Sequence, residues 1–161
     1  MRQATTGYRA SATYGERTAA QWAALTLGVV LLLVGIAGFI PGITQDYDEL
    51  SFTGHDGASL LGLFEVNVLH NIVHLAFGVA GIAAATTYGA SLTYLFGGGV
   101  IYLALWVYGM FVDTESDWNF AALNTADNWL HFGLSIALFG LGLLTMRGVP
   151  DDTRSGDRVT R

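Results

Sequence analysis

The chain has 161 residues, 52% of them hydrophobic and only 12% charged, with a formal net charge of −6. A soluble domain of this size carries about 25% charged residues, so the deficit points to a membrane protein. There is no cysteine, which excludes disulfides, thiolate metal sites and cysteine nucleophiles. There is no basic surface or reading module for nucleic acid either.

Residues 1–18 form a polar tail expected to be disordered and cytoplasmic, and residues 19–147 form a transmembrane domain. Its first helix covers about 19–40, "AAQWAALTLGVVLLLVGIAGFI". The run exceeds the 7–15 apolar residues or so of a signal peptide and lacks an A-x-A site, so it reads as retained. Pro41 and Gly42 mark its exit. Three further apolar stretches follow, at about 60–85, 92–112 and 121–146. Each has roughly the 20 residues needed to cross a hydrocarbon core. Without water to satisfy the backbone, these segments should be helical. A second tail expected to be disordered covers 148–161.

The seven basic residues are all arginines: Arg2, Arg9 and Arg17 before the first helix, and Arg147, Arg154, Arg158 and Arg161 after the last. The positive-inside rule then places both termini in the cytoplasm. Most acids lie toward the other side, in loops such as "QDYDEL" and "DTESD" that read as solvated. Trp22, Tyr88 and Tyr94 are expected at the cytoplasmic interface and Trp118 and Trp129 at the outer one, with Trp106 packed inside. His55 reads as a solvated loop residue.

Two pairs of segments match without gaps. "GVVLLLVGIAGFI" aligns on "GVIYLALWVYGMF", pairing Gly28 with Gly99 and Gly38 with Gly109. "NVLHNIVH" aligns on "NTADNWLH", pairing Asn67, Asn71 and His74 with Asn124, Asn128 and His131, while Asp127 replaces His70. The fold class is therefore all-α: a polytopic membrane protein of four transmembrane helices, arranged as two pseudo-symmetric hairpins in a parallel repeat. Each polar set follows i, i+3, i+4, i+7 and lies on one helix stripe. If helices 2 and 4 face each other, the stripes meet at one depth in the outer half of the membrane. Asn, Asp and His are uncommon in spanning segments, which gives this match weight.

With those motifs in view, the chain resembles the DUF4383-type family of bacterial multi-pass membrane proteins over roughly 20–147. The resemblance rests on "NVLHNIVHLAFGVAGIAA", "YLFGGGVIYL" and "ADNWLH". It implies the four-helix membrane architecture and the importance of the two polar motifs, and no mechanism.

Several roles for the stripe compete. The leading one is structural or accessory: Asn and His hydrogen-bonding across helices that glycines bring close, with no cofactor. Second is a metal site from His70, His74, Asp127 and His131, suited to Zn²⁺, Fe or Cu, with Asn67, Asn71, Asn124 and Asn128 as a surrounding polar network. Haem on His74 and His131 is a weaker variant. Proton or cation transport through Asp127 would need a homo-oligomer. An enzyme is the least favoured reading, and no catalytic residue is assigned. The expected location is a bacterial inner membrane, with lipid, other membrane proteins or further copies of the chain as partners.

Overall fold

A computed structural model describes residues 17–55 and 57–146 of the chain. The two tails expected to be disordered lie outside the described residues, apart from Arg17 and Thr18. Four helices dominate: α1 (Ala19–Ala37), α2 (Val68–Ala84), α3 (Tyr88–Phe111) and α4 (Thr125–Met146). Three of them, α1, α3 and α4, are long and apolar enough to cross a membrane; α2, with 17 residues, is also apolar but shorter.

The all-α expectation needs one correction. Between α1 and α2 lies a small antiparallel sheet of β1 (Thr44–Gln45), β2 (Ser59–Leu60) and β3 (Phe64–Glu65), in that order. Thr44 pairs with Leu60, and Leu60 with Phe64. The β2–β3 turn runs through Leu61 and Gly62, both with positive φ. Residues 60–67, expected to be helical, are therefore strand, turn and cap. Their apolar sequence is continuous with the helix that follows, so hydrophobicity alone could not separate them.

The helix boundaries follow from capping chemistry. Thr18 and Gln21 form a reciprocal capping box at the start of α1. Gln21 also donates Nε2 to the carbonyl of Ala85 (3.1 Å), tying the start of α1 to the end of α2. Thr87 caps α3, accepting from the N–H of Ala90 at 3.2 Å. α1 ends three residues earlier than expected, where Thr44 Oγ1 donates to the carbonyl of Ala37. At α2 the three N–H groups of the first turn all have partners: Val68 donates to Ser51 O, Leu69 to Phe52 O, and His70 to the Asn67 side chain. A helix end removed from water needs this full set of acceptors.

α1 packs against α2 and α3 against α4. Glycine permits the first contact: a methyl group on Gly78 would lie 2.5 Å from Leu32 N, and one on Gly28 would lie 2.7 Å from Ile82 N. The second contact uses rings, with Gly99 against Phe139 and Gly142 against Phe96. Leu31, Leu95, Tyr102 and Leu138 form the buried core between the pairs, flanked by Phe77. Trp106 packs on Phe132, with ring centroids 4.6 Å apart.

The buried positions of the helices fall in a regular pattern. Ala20, Ala24, Gly28 and Leu31 of α1 stand at the same spacing as Ser91, Leu95, Gly99 and Tyr102 of α3. His70, Asn71, His74, Gly78 and Gly81 of α2 stand at the same spacing as Asp127, Asn128, His131, Ser135 and Leu138 of α4.

Thermal unfolding in detergent tests the packing. Gly78→Ala must push α1 from α2 backbone to backbone, with an expected cost of about 1–3 kcal/mol. Gly133 has open space around its Cβ position. Gly133→Ala is expected to leave stability unchanged or raise it by up to about 1 kcal/mol through helix propensity.

Candidate metal centre at the sheet end of the bundle

His70 and His74 stand one turn apart near the start of α2, and His131 stands in the second turn of α4. All three are buried. The i, i+4 spacing stacks the first two rings, with centroids 4.9 Å apart and planes inclined by 11°. Their Nε2 atoms are 3.1 Å apart. The His131 ring approaches from the facing helix, its centroid 6.0 Å from that of His70. One ligand-capable nitrogen from each of the three lies within 4.8 Å of the others.

A backbone carbonyl sets the orientation of His70. Its Nδ1 is 2.8 Å from Ala121 O, and a carbonyl only accepts, so Nδ1 carries the proton. In the neutral ring Nε2 is then a bare lone pair, and His74 Nε2 donates to it across the 3.1 Å contact. The Nδ1 atoms of His74 and His131 are buried without a hydrogen-bond partner. Tyr102 links the cluster to the core, its ring centroid 5.4 Å from that of His131 and 5.7 Å from that of Phe77.

Asp127, expected beside the histidines as a fourth ligand, lines one cavity with them, and one of its oxygens is engaged by the backbone. Asp127 Oδ2 accepts from the N–H groups of Asn124 (3.2 Å) and Glu65 (3.1 Å). Asn124 Oδ1 in turn accepts from the Asp127 N–H at 3.0 Å. This is a reciprocal cap on α4, extended to β3, and it commits the Oδ2 atom to backbone donors. Only the three histidines come together as a ligand cluster among the described residues.

The four asparagines divide into two pairs. Asn67 and Asn124 stand outside the helical stripes as caps of α2 and α4. Asn67 also donates Nδ2 to Gly54 O (2.9 Å) and Phe120 O (2.8 Å), and Asn124 Nδ2 donates to Leu63 O (2.9 Å). Asn71 and Asn128 fill notches on the neighbouring helices, Asn71 beside Gly38 and Asn128 beside Gly109. Asn128 Nδ2 donates to Gly109 O at 2.8 Å.

Other contributors gave little sign of themselves in the sequence. Asn119, fully buried, bonds Thr114 O, Leu123 O and Leu123 N, and so shapes the segment that presents the Ala121 carbonyl. A buried asparagine inside an acidic loop resembles an ordinary solvated one. Tyr108 OH donates to Trp118 O in the same segment. Ala122, next to Ala121, holds a positive φ of 49°. His55, expected to be solvated, is half-buried, with an unpartnered Nδ1.

Two small, largely apolar cavities flank the imidazoles. One of about 90 Å³ lies on the Phe77 and Leu105 side; the other, of about 110 Å³, lies on the Val34 and Phe64 side. Both are smaller than the roughly 150 Å³ that admits one benzene molecule. Neither cavity as it stands has the volume of a haem macrocycle.

The caps make a graded prediction. Asn67→Ala removes the α2 cap and two loop bonds together, with an expected cost of about 2–4 kcal/mol. Asn67→Ser restores an acceptor for the His70 N–H but cannot reach both carbonyls, so its melting temperature is expected between wild type and Asn67→Ala. Equal melting temperatures for all three proteins would contradict this role of Asn67.

No curated protein and no solved structure matches the chain. The model of the family described as "Domain of unknown function (DUF4383)" matches residues 21–144, and the chain belongs to that family.

Proposed function

We propose that this protein is a four-helix integral membrane protein holding one divalent transition-metal ion on His70, His74 and His131. The carrying observation is the approach of three buried imidazoles from two facing helices, with ligand-capable nitrogens within 4.8 Å. Two ligands at about 2.0–2.1 Å from a tetrahedral ion stand about 3.3 Å apart. The 3.1 Å separation of His70 Nε2 and His74 Nε2 is close to that value. The His131 nitrogen, within 4.8 Å of the others, would have to move inward to complete the set.

The surroundings favour an ion over a hydrogen-bonded glue. The Ala121 carbonyl fixes the His70 proton on Nδ1 and aims Nε2 into the cluster, the arrangement that accompanies most metal-bound histidines. His74 would hold an ion through Nε2 only as its Nδ1–H tautomer, with the one ring proton shifted from Nε2 to Nδ1 and none released. Three neutral nitrogens leave a fourth position open beside the apolar cavities, as in ligand-binding or catalytic centres. Asp127 Oδ2 is held by two backbone donors, which favours a capping role over the readings in which Asp127 ligates metal or relays protons.

All four helices span the membrane in this proposal. α2, at 17 residues, sits at the lower end of the spanning range. The matched burial of α1 with α3 and of α2 with α4 supports two hairpins related by a pseudo-two-fold axis along the membrane normal. Gly38 beside Asn71 and Gly109 beside Asn128 repeat the same contact in each hairpin. Arginine placement supports cytoplasmic termini, with the sheet and the histidine cluster toward the outer surface of a bacterial inner membrane.

Elemental analysis of the protein purified in detergent tests the metal. About one transition-metal ion per chain is expected, lost in His74→Ala and His131→Ala and retained in Asp127→Asn. Metal-free protein that also fails to take up Zn²⁺, Cu²⁺ or Fe²⁺ would overturn the centre and leave the glue role. Topology is checked separately with a cysteine at Thr114, which an impermeant reagent should label from outside the cell; labelling only after the membrane is opened would reverse the orientation.

A further inference from the structure

The tip of the β2–β3 hairpin is apolar where a turn is ordinarily polar. Between Ser59 and Glu65 the chain reads "LLGLF", with no charged or hydrogen-bonding side chain. Leu61 and Leu63 are 66% and 56% exposed. Exposed apolar surface of this kind marks contact with lipid or with another protein.

The depth of the tip follows from α1. Leu61 and Ile43 border a groove of about 290 Å³ that runs over Val30, Leu33 and Ala37 of that helix. Val30 to Ala37 is seven steps, about 10 Å of helix. α1 has 19 residues, about 28 Å in length, against a hydrocarbon core of about 30 Å. A helix with no length to spare spans only if its last two turns lie inside the core. Residues that share a groove with those turns then lie inside it as well.

Lipid admits non-helical backbone only where its polar groups find partners within the protein. The N–H groups of this tip do. Leu61 N–H donates to Ile43 O (2.9 Å), Gly62 N–H to Ser59 O (3.4 Å) and Leu63 N–H to Leu60 O (3.1 Å). The Leu63 carbonyl accepts from Asn124 Nδ2 at 2.9 Å. The Gln45 side-chain amide lies over Gly62 so closely that a methyl group there would be 2.8 Å from its oxygen. For a turn in water, the solvent would supply these partners.

We propose that the β2–β3 hairpin is a re-entrant membrane element, its tip dipping beside α1 into the leaflet on the sheet side, with lipid acyl chains covering Leu61 and Ile43. Leu63, held at the start of α4 by Asn124, lies shallower. Leu60 and Leu61 also line the cavity of about 110 Å³ that reaches the three histidines, so the hairpin is a wall between acyl chains and that site. The proposal rests on α1 crossing the membrane and is independent of the metal.

Nitroxide labelling tests the depth. The chain has no cysteine, so a label can be placed at one position at a time. Leu61→Cys and Ile43→Cys report on the hairpin, with Leu33→Cys as the lipid reference and Glu115→Cys as the water reference. All four positions are exposed, so a label displaces no core contact. In vesicles of phosphatidylethanolamine and phosphatidylglycerol, relaxation by oxygen, which concentrates among acyl chains, is compared with relaxation by a water-soluble nickel chelate. The oxygen-to-nickel ratio at Leu61 and at Ile43 is expected to match Leu33 and to exceed Glu115 several-fold. A Leu61 ratio equal to that of Glu115, with Leu33 still in lipid, would overturn the hairpin proposal and leave α1 spanning. A Leu33 label in water would overturn both. Shielding of Leu61 from oxygen and nickel alike, or spin–spin broadening between copies, would assign the tip to a protein contact and overturn the lipid contact.

Discussion

A helix that begins away from water must find acceptors for the N–H groups of its first turn, because an unsatisfied one costs about 1–3 kcal/mol. The sheet end of this bundle is organised around that demand at α2 and α4. Ser51, Phe52 and the Asn67 side chain serve α2. Asn124 serves α4, and the Asp127 carboxylate returns the favour to the Asn124 and Glu65 backbones. The cap residues also hold the two flanking segments in place. Asn67 reaches Gly54 and Phe120, and Asn124 reaches Leu63. Satisfying two helix ends thus fixes the segment that carries the Ala121 carbonyl, and that carbonyl fixes the tautomer and aim of His70. The site inherits its geometry from the caps.

Close helix approach supplies the other half. Gly28, Gly35 and Gly78 bring α1 and α2 into backbone contact. Gly38 and Gly109 leave notches that Asn71 and Asn128 occupy. Lipid gives no hydrophobic drive for helix association, so packing of this kind is the main source of cohesion for a spanning bundle. The histidines then lie between the pairs, connected to the core through Tyr102 and Phe77.

Much of this was legible in the sequence, and the failures have physical causes. Long apolar runs announced the helices, and the recurrence of Asn, His and Asp at helical spacing singled out the histidines that meet. The sheet was not legible because strands of two residues show no period, and "SLLGLFEV" is as apolar as the helix after it. The capping role of Asp127 was missed for a different reason. N-x-x-D is a capping pattern as well as a stripe pattern, and the stripe reading assumed that the helix already existed at Asn124. Placing the helix start at Thr125 converts the same two residues into a cap. Asn119 and the Ala121 carbonyl depend on the path of a loop, which residue types do not encode locally.

The account makes the three histidines a single metal centre with one open position, and the most direct measurement is X-ray absorption at the edge of the bound metal. The prediction is three imidazole nitrogens at about 2.0–2.1 Å plus one oxygen ligand. His74→Ala and His131→Ala should lose the metal and its absorption edge, and the imidazole scattering should stay unchanged in Asp127→Asn. A spectrum dominated by carboxylate oxygen, or one insensitive to the histidine substitutions, would contradict the account.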